Sequence, residues 1–132
     1  MKTKLIILLI GMALVGCEPS NEEIRKTYFP NGILDTEVTY VGESKNGPFV
    51  YYNREGLKWK EGFFLNDTLD GTLLNYSSNG IDTNRITTYK NGEIIELIDY
   101  TSDAPKIKIN HKEKLITIYD ELGKVDSTIE MK

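Results

Sequence analysis

Tyrosines stand at positions 28, 52, 76 and 100, each 24 residues from the last. Four places after each comes a small residue: Gly32, Gly56, Gly80 and Ala104. An aliphatic residue follows in three of the four cases (Ile33, Leu57, Ile81), and Pro105 breaks that column. Gly47 and Gly71 keep the same spacing, as do Phe49, Leu73 and Leu97, then Val50, Leu74 and Ile98. Tyr40 and Phe64 form another column, which Tyr89 joins one place late. Columns that agree in one register define an internal repeat, so the chain folds as stacked copies of one small unit.

The unit has a mechanical reading. Asn31-Gly32, Asn46-Gly47, Asn79-Gly80 and Asn91-Gly92 are dipeptides that favour type I′ hairpin turns, because both residues tolerate positive φ. Glu55-Gly56 and Asp70-Gly71 occupy equivalent places. Gly32, Gly47, Gly56, Gly71, Gly80 and Gly92 are therefore the expected turn glycines, and Gly56 and Gly80 are expected at positive φ. Between turns the chain is rich in Thr, Val, Ile, Tyr, Phe and Trp, as strands are. "ILDTEVTYV" puts Leu34, Thr36, Val38 and Tyr40 on one face and Asp35, Glu37 and Thr39 on the other. "LKWKEGFFL" puts Leu57, Trp59, Phe63 and Leu65 together, with Lys58 and Lys60 opposite. One unit reads as a long strand, a turn, a short strand and a turn. In the third unit Ile95 stands where Gly47 and Gly71 stood, which leaves the geometry of that hairpin open.

After Cys17 no window of ten or more residues keeps an apolar i, i+3, i+4 stripe, so helix is not expected. The predicted fold is all-β: an extended antiparallel meander of repeated β-hairpins, with about ten short strands. The array is expected over residues 28–104. Beyond it the register slips. "KIKIN" and "KLITIY" alternate around "HKEK", "YDELG" is one more Tyr-x-x-x-Gly out of phase, and "KVDSTIEM" reads as a last strand. Residues 105–132 are thus a degenerate terminal repeat that caps the array, since so short a segment cannot bury a core alone.

The N-terminus has another composition. Lys2 and Lys4 precede the apolar run Leu5–Val15, and small Gly16 precedes Cys17. That is the charged region, apolar region and cleavage site of a secretory signal over residues 1–16. The run is shorter than the roughly 20 residues that span a bilayer. Cys17 is the chain's one cysteine, so no intrachain disulfide can form. Residues 17–27 are expected to be the modified Cys and a tether leading into the first strand, with 18–23 unstructured. Removing residues 1–16 takes away Lys2 and Lys4 and no acid. The 16 basic residues fall to 14 against 20 acidic ones, and the formal charge goes from −4 to −6. A chain this acidic gains nothing from phosphate backbones, which argues against nucleic acid as a partner, and an anionic membrane face would not hold it either.

"LVGC", Leu14 to Cys17, resembles the lipobox of bacterial lipoproteins. The resemblance implies a diacylated Cys17, cleavage before it and acylation of the new amino terminus. Several acyl chains on one residue hold a protein at a membrane stably where one chain would not. Glu18 follows rather than Asp, so the inner-membrane retention signal of such lipoproteins is missing. The expected location is the bacterial cell envelope, lipid-anchored at the outer rather than the inner membrane. Over residues 28–100, Tyr-x-x-Asn-Gly, an alternating strand and a Gly-containing turn resemble the variant MORN repeat. That family includes antitoxin components of toxin–antitoxin modules and bacterial lipoproteins. It brings no catalytic residues to carry over.

Chemistry is sparse. His111 is the chain's one histidine and sits in "INHKEKL", a turn between lysine-rich strands, so it reads as an exposed turn residue and not a general base. One His and one lipid-modified Cys assemble no zinc site. "NDTLDG" lacks the alternating acids of a calcium loop and reads as a hairpin turn. The glycines precede strands and not helices, so no phosphate loop is present. Glu22-Glu23 and Asp120-Glu121 are adjacent in sequence and would point to opposite faces of a strand. Asp67-Thr68-Leu69 and Asp126-Ser127-Thr128 resemble a bacterial O-glycosylation acceptor. No enzyme, cofactor or metal is expected.

The aromatics are the remaining feature. Tyr51, Tyr52, Trp59, Phe63, Phe64 and Tyr76 concentrate in the middle units. In the 24-residue columns Asp35 and Thr83 stand where Trp59 does, and Thr39 and Thr87 where Phe63 does. The repeat does not itself require an aromatic at either place, so Trp59 and Phe63 are the candidate binding residues. The alternative is that both simply pack one face of a thin sheet. The expected function is a non-enzymatic membrane-anchored lipoprotein whose sheet binds a protein or glycan partner or acts as a scaffold. The competing expectation is an immunity or antitoxin lipoprotein that neutralises an envelope-acting toxin.

Overall fold

Each alternating segment forms a strand and, with one short strand excepted, each strand pairs with the next along the chain. The computed structural model describes residues 21–101 and 104–132. The expected leader and Cys17 lie outside those residues. The strands are β1 (Glu22–Tyr28), β2 (Leu34–Val41), β3 (Ser44–Tyr52), β4 (Lys58–Leu65), β5 (Thr68–Leu69), β6 (Gly71–Tyr76), β7 (Thr83–Lys90), β8 (Glu93–Thr101), β9 (Ala104–Asn110), β10 (Leu115–Tyr119) and β11 (Val125–Glu130). They form one antiparallel sheet in the order β1-β2-β3-β4-β6-β7-β8-β9-β10-β11, with short β5 paired to β4. This is the meander the repeat predicts, and the described residues contain no helix. Two boundaries differ from expectation. The tether ends sooner, because Glu22 and Glu23 already pair with Val41 and Tyr40. The strands also do not alternate long and short: β2, β3 and β4 have 8, 9 and 8 residues.

The turns differ between the two ends of the strands. At one end Gly32, Gly56 and Gly123 take φ of 81°, 81° and 75°. The N–H of each donates to the carbonyl three residues back, at 2.9, 2.9 and 3.0 Å. This is a three-residue loop, a type I turn closed by a left-handed glycine. The expected type I′ turn would need positive φ at the preceding residue too, and Asn31 and Asn79 do not have it. Their side chains act instead: Asn31 Oδ1 accepts from the Ile33 N–H, and Asn79 Oδ1 from the Ile81 and Asp82 N–H groups. Asn91-Gly92 does form the type I′ turn, with φ of 50° and 81°. So do Asn66 and Asp67 between β4 and β5, at 48° and 63°. Gly42, at 63°, opens the β2–β3 turn and was not singled out in the sequence.

Gly47 and Gly71 are not turn residues. Gly47 lies inside β3, at φ 138°, where a Cβ would stand 2.7 Å from the Thr39 Cβ and Cγ2. Its role is close approach at an irregularity in the β2–β3 pairing. Gly71 starts β6 just past the break after β5. Ile95 occupies the same place in the third unit as the unpaired residue of a β7–β8 bulge, and that hairpin forms without a glycine there. Each of these irregular points is tied to the next hairpin. The Asp67 N–H donates to the Lys45 carbonyl (2.9 Å), Gly92 N–H to Leu69 (2.9 Å) and His111 N–H to Ile95 (2.9 Å).

Cross-strand register sorts the side chains onto two faces. Val38, Phe49, Leu73, Thr87, Leu97, Ile109, Ile116 and Ile129 share what we term the front face. Gly62 lies in the same row, and a Cβ on it would come within 3.0 Å of the Phe49 ring and 3.1 Å of Leu73. Phe49, 3% exposed, fills that gap and stacks on Phe64 and Tyr51 at centroid distances of 4.6 and 4.9 Å. Val38 and Leu73 complete the buried apolar core among the described residues, with Tyr40, Tyr51, Phe64, Leu69 and Tyr89 around it. A single layer can bury no more than this, so much apolar surface stays in water.

Candidate functional site: a groove along a column of bulges

The end of the strands that carries the Tyr-x-x-x-Gly loops repeats one irregularity. Thr27 pairs with Thr36 and Tyr28 with Leu34, leaving Asp35 extra. The same skip leaves Trp59 extra opposite Tyr51 and Tyr52, Asn84 opposite Asn75 and Tyr76, Lys106 opposite Asp99 and Tyr100, and Asp126 opposite Ile118 and Tyr119. A bulge puts the extra residue and its successor on nearly the same side of the strand and increases the local twist. Each unit therefore presents one side chain that an ordinary strand would have turned away.

This fixes the place of Trp59. The bulge brings it to the front face beside Lys60, whose Nζ sits 4.6 Å from the ring centroid. Trp59 is 51% exposed. Phe63, paired with Pro48, is an odd number of residues from Lys60 and points from the back face, 42% exposed. The two candidate binding residues thus lie on opposite faces. The sequence reading placed them together because simple alternation cannot register a bulge. The counterparts of Trp59 also change. Tyr76 pairs with Thr83 where Tyr52 pairs with Lys58, and the Ser77 N–H reaches the Asp82 carbonyl (2.7 Å) where Asn53 reaches Leu57 (2.8 Å). The third loop is one residue longer, so Asn84, not Thr83, is equivalent to Trp59. The same insertion makes Tyr89 one place late.

Trp59 stands at one side of an open groove of about 460 Å³. Its floor is a cross-strand row, Asn75, Arg85, Asp99 and Ile107, and its rim includes the bulged Asn84 and Lys106 together with Tyr76 and Tyr100. Arg85 and Asp99 are joined by two hydrogen bonds, the second from Nη2 to Oδ2 at 3.1 Å. The Asp99 carboxylate raises the Arg85 pKa further above its ordinary value. The groove offers planar amide, guanidinium and carboxylate groups beside an indole. Among the described residues no group of three or more His, Cys, Asp or Glu could hold a metal ion. His111 lies exposed in the β9–β10 turn.

On the back face the repeat carries a second device, which sequence reading missed. The Tyr52 hydroxyl donates to Glu37 (2.8 Å), and 24 residues on the Tyr76 hydroxyl donates to Glu61. Lys26 and Lys58 pair with the same two carboxylates. Lys58, and then Tyr76, hold the Glu61 carboxyl below its usual range, and Lys26 and Tyr52 do the same to Glu37. Burial, then the Glu61 bond, pushes Tyr76 up to about 12. In the third unit Ile86 lies in the Glu61 row and the device lapses. Glu37 and Glu61 do share the 24-residue spacing, which was the available signal.

No protein-family model matches this chain, and no curated protein matches it in sequence. Among solved structures, one described as the crystal structure of a GtfA/B complex bound to UDP and GlcNAc is similar at 14% identity and a TM-score of 0.36. The match covers 86% of this chain and 25% of that one, so the chain spans about a quarter of that protein's length. A likeness of this size carries no argument about activity.

Proposed function

We propose that this protein is a non-enzymatic binding module, held at a bacterial membrane by lipid on Cys17, whose sheet takes up a protein or glycan partner. The observation that supports the reading is the half-exposed Trp59 at the groove. The repeat carries Asp35 and Asn84 at the equivalent places, so nothing in the stacking of units asks for an indole there. Large aromatics set in a concavity beside a few placed polar groups are what binding sites use. The lipobox-like "LVGC" supports the anchor. No described helix is long and apolar enough to cross a membrane.

Two experiments test the two parts. Cys17→Ser is expected to move the protein from the membrane to the soluble fraction; a variant that still sediments with membranes removes the lipid anchor from the account. For binding, the full chain and Trp59→Ala, both in detergent, are immobilised and exposed to solubilised envelope material. Wild type should retain protein or glycan that the variant loses, with the melting temperature unchanged. Equal retention, or a Trp59→Ala variant that no longer melts cooperatively, leaves Trp59 as packing and ends the binding reading.

A further inference from the structure

We infer that the groove binds an extended acidic glycan laid across the strands from Trp59 to Lys106, an inference that rests on the binding-module reading above. Three observations carry it. The first is what the groove offers. The strands under the groove, β4 and β6 to β9, each have a paired strand on both sides, so a ligand crossing them meets mostly side chains. That disfavours a peptide, which gains most from backbone hydrogen bonds at a sheet edge. The side chains present are Asn75, Asn84, Arg85 and Asp99. These are flat groups that give or accept two hydrogen bonds side by side, and adjacent hydroxyls on a sugar ring present matching pairs. Trp59 supplies a flat face whose negative π-cloud attracts the polarised C–H groups of such a ring.

The second observation is periodicity. Trp59, Asn84 and Lys106 are successive members of the bulge column, on β4, β7 and β9. Neighbouring strands lie ~4.8 Å apart, so equivalent residues two strands on are separated by ~10 Å and the column spans ~19 Å. Units repeating at the length of a disaccharide suit a polymer of sugars. The third is charge. Among the residues that line the groove Arg85 and Lys106 are basic and Asp99 is the acid, and Lys60 stands over the Trp59 ring, within a chain of formal charge −4. The column turns acidic at both ends, at Asp35 and Asp126. The cationic middle is complementary to carboxylate-bearing sugars, and the acidic ends limit the length engaged.

The test is calorimetric titration of the full chain in detergent with oligomers of galacturonate, alginate and hyaluronan, and with neutral cello-oligosaccharides as the contrast. An acidic oligomer should bind more weakly as salt rises. Trp59→Ala and Lys106→Glu should each weaken it at least about tenfold, with thermal melts unchanged. Binding by none of the acidic oligomers, binding of the neutral ones alone, or affinity indifferent to both substitutions overturns the inference. If envelope protein is still captured in a Trp59-dependent way while no glycan binds, the glycan assignment fails and the binding module stands. If neither is retained, both fail.

Discussion

Gly80 carries two constraints where Gly32 carries one. Both sit at positive φ, 69° and 81°. A Cβ on Gly32 would meet open space, but on Gly80 it would lie 2.8 Å from Leu57 Cβ and 3.2 Å from the Lys58 nitrogen. Gly32→Ala should therefore cost about 1 kcal/mol, the strain of an L-residue in that region. Gly80→Ala should cost clearly more, because the third loop must also lift off the second. Chemical denaturation of the two variants measures the difference, and equal losses would contradict the contact. Glu61 makes a second prediction at this scale. Its lowered pKa means that its contribution is present above the ordinary carboxylate value and is lost as pH falls through the folded value. Tyr76 has the opposite sign: its contribution is intact below its ordinary value and is lost as pH rises through about 12. Glu61→Gln should remove its share of the acid limb in a pH series of melts, and an unchanged limb would show that the Lys58 and Tyr76 contacts add no stability.

At the scale of the element, the bulges explain how an imperfect repeat still stacks. The third loop absorbs its extra residue in Ile81 and Asp82, and Ile81 is 78% exposed. Deleting Ile81 should shorten the third loop to the length of the second at a cost below about 1 kcal/mol, since loop length is tolerated thermodynamically. Deleting Thr88 inside β7 should be far more damaging, because a one-residue slip in a strand sends the following side chains to the other face. Comparing the melting temperatures of the two deletions checks this; similar losses would mean that the loops, not the faces, set the register.

Across the described residues, the strands pair in sequence along one sheet, and the irregular points at Gly47, Gly71 and Ile95 are each tied to the next hairpin. Stability should then fall off from the middle outward, as in one-dimensional repeat arrays. Amide exchange should be slowest around Phe49 and Leu73, in β3 and β6, and fastest in β11, whose residues are exposed from end to end. Uniform protection would show one cooperative unit instead. The outer strands handle their open edges differently. β1 carries Glu22, Glu23, Arg25 and Lys26, charge that discourages pairing with another chain, and Arg25 folds over the Tyr40 ring at 4.3 Å. β11 has a milder set, Asp126 and Glu130.

The sequence by itself determined the period, the all-β meander, the Tyr-x-x-x-Gly loops and the type I′ turn at Asn91-Gly92. These follow from φ preferences and side-chain alternation, which are properties of a residue and its near neighbours. It did not determine which face Trp59 joins, why Gly47 is a glycine, or which residues line the groove. A bulge is a mismatch between two paired strands, so it exists only once the partner is chosen, and one extra residue reverses every face assignment on one side of it. Asn84 and Lys106 were invisible as companions of Trp59 for the same reason. The insertion near Ile81 and the shortened terminal unit had shifted them out of the 24-residue column, and only the pairing of β6 with β7 and of β8 with β9 put them back.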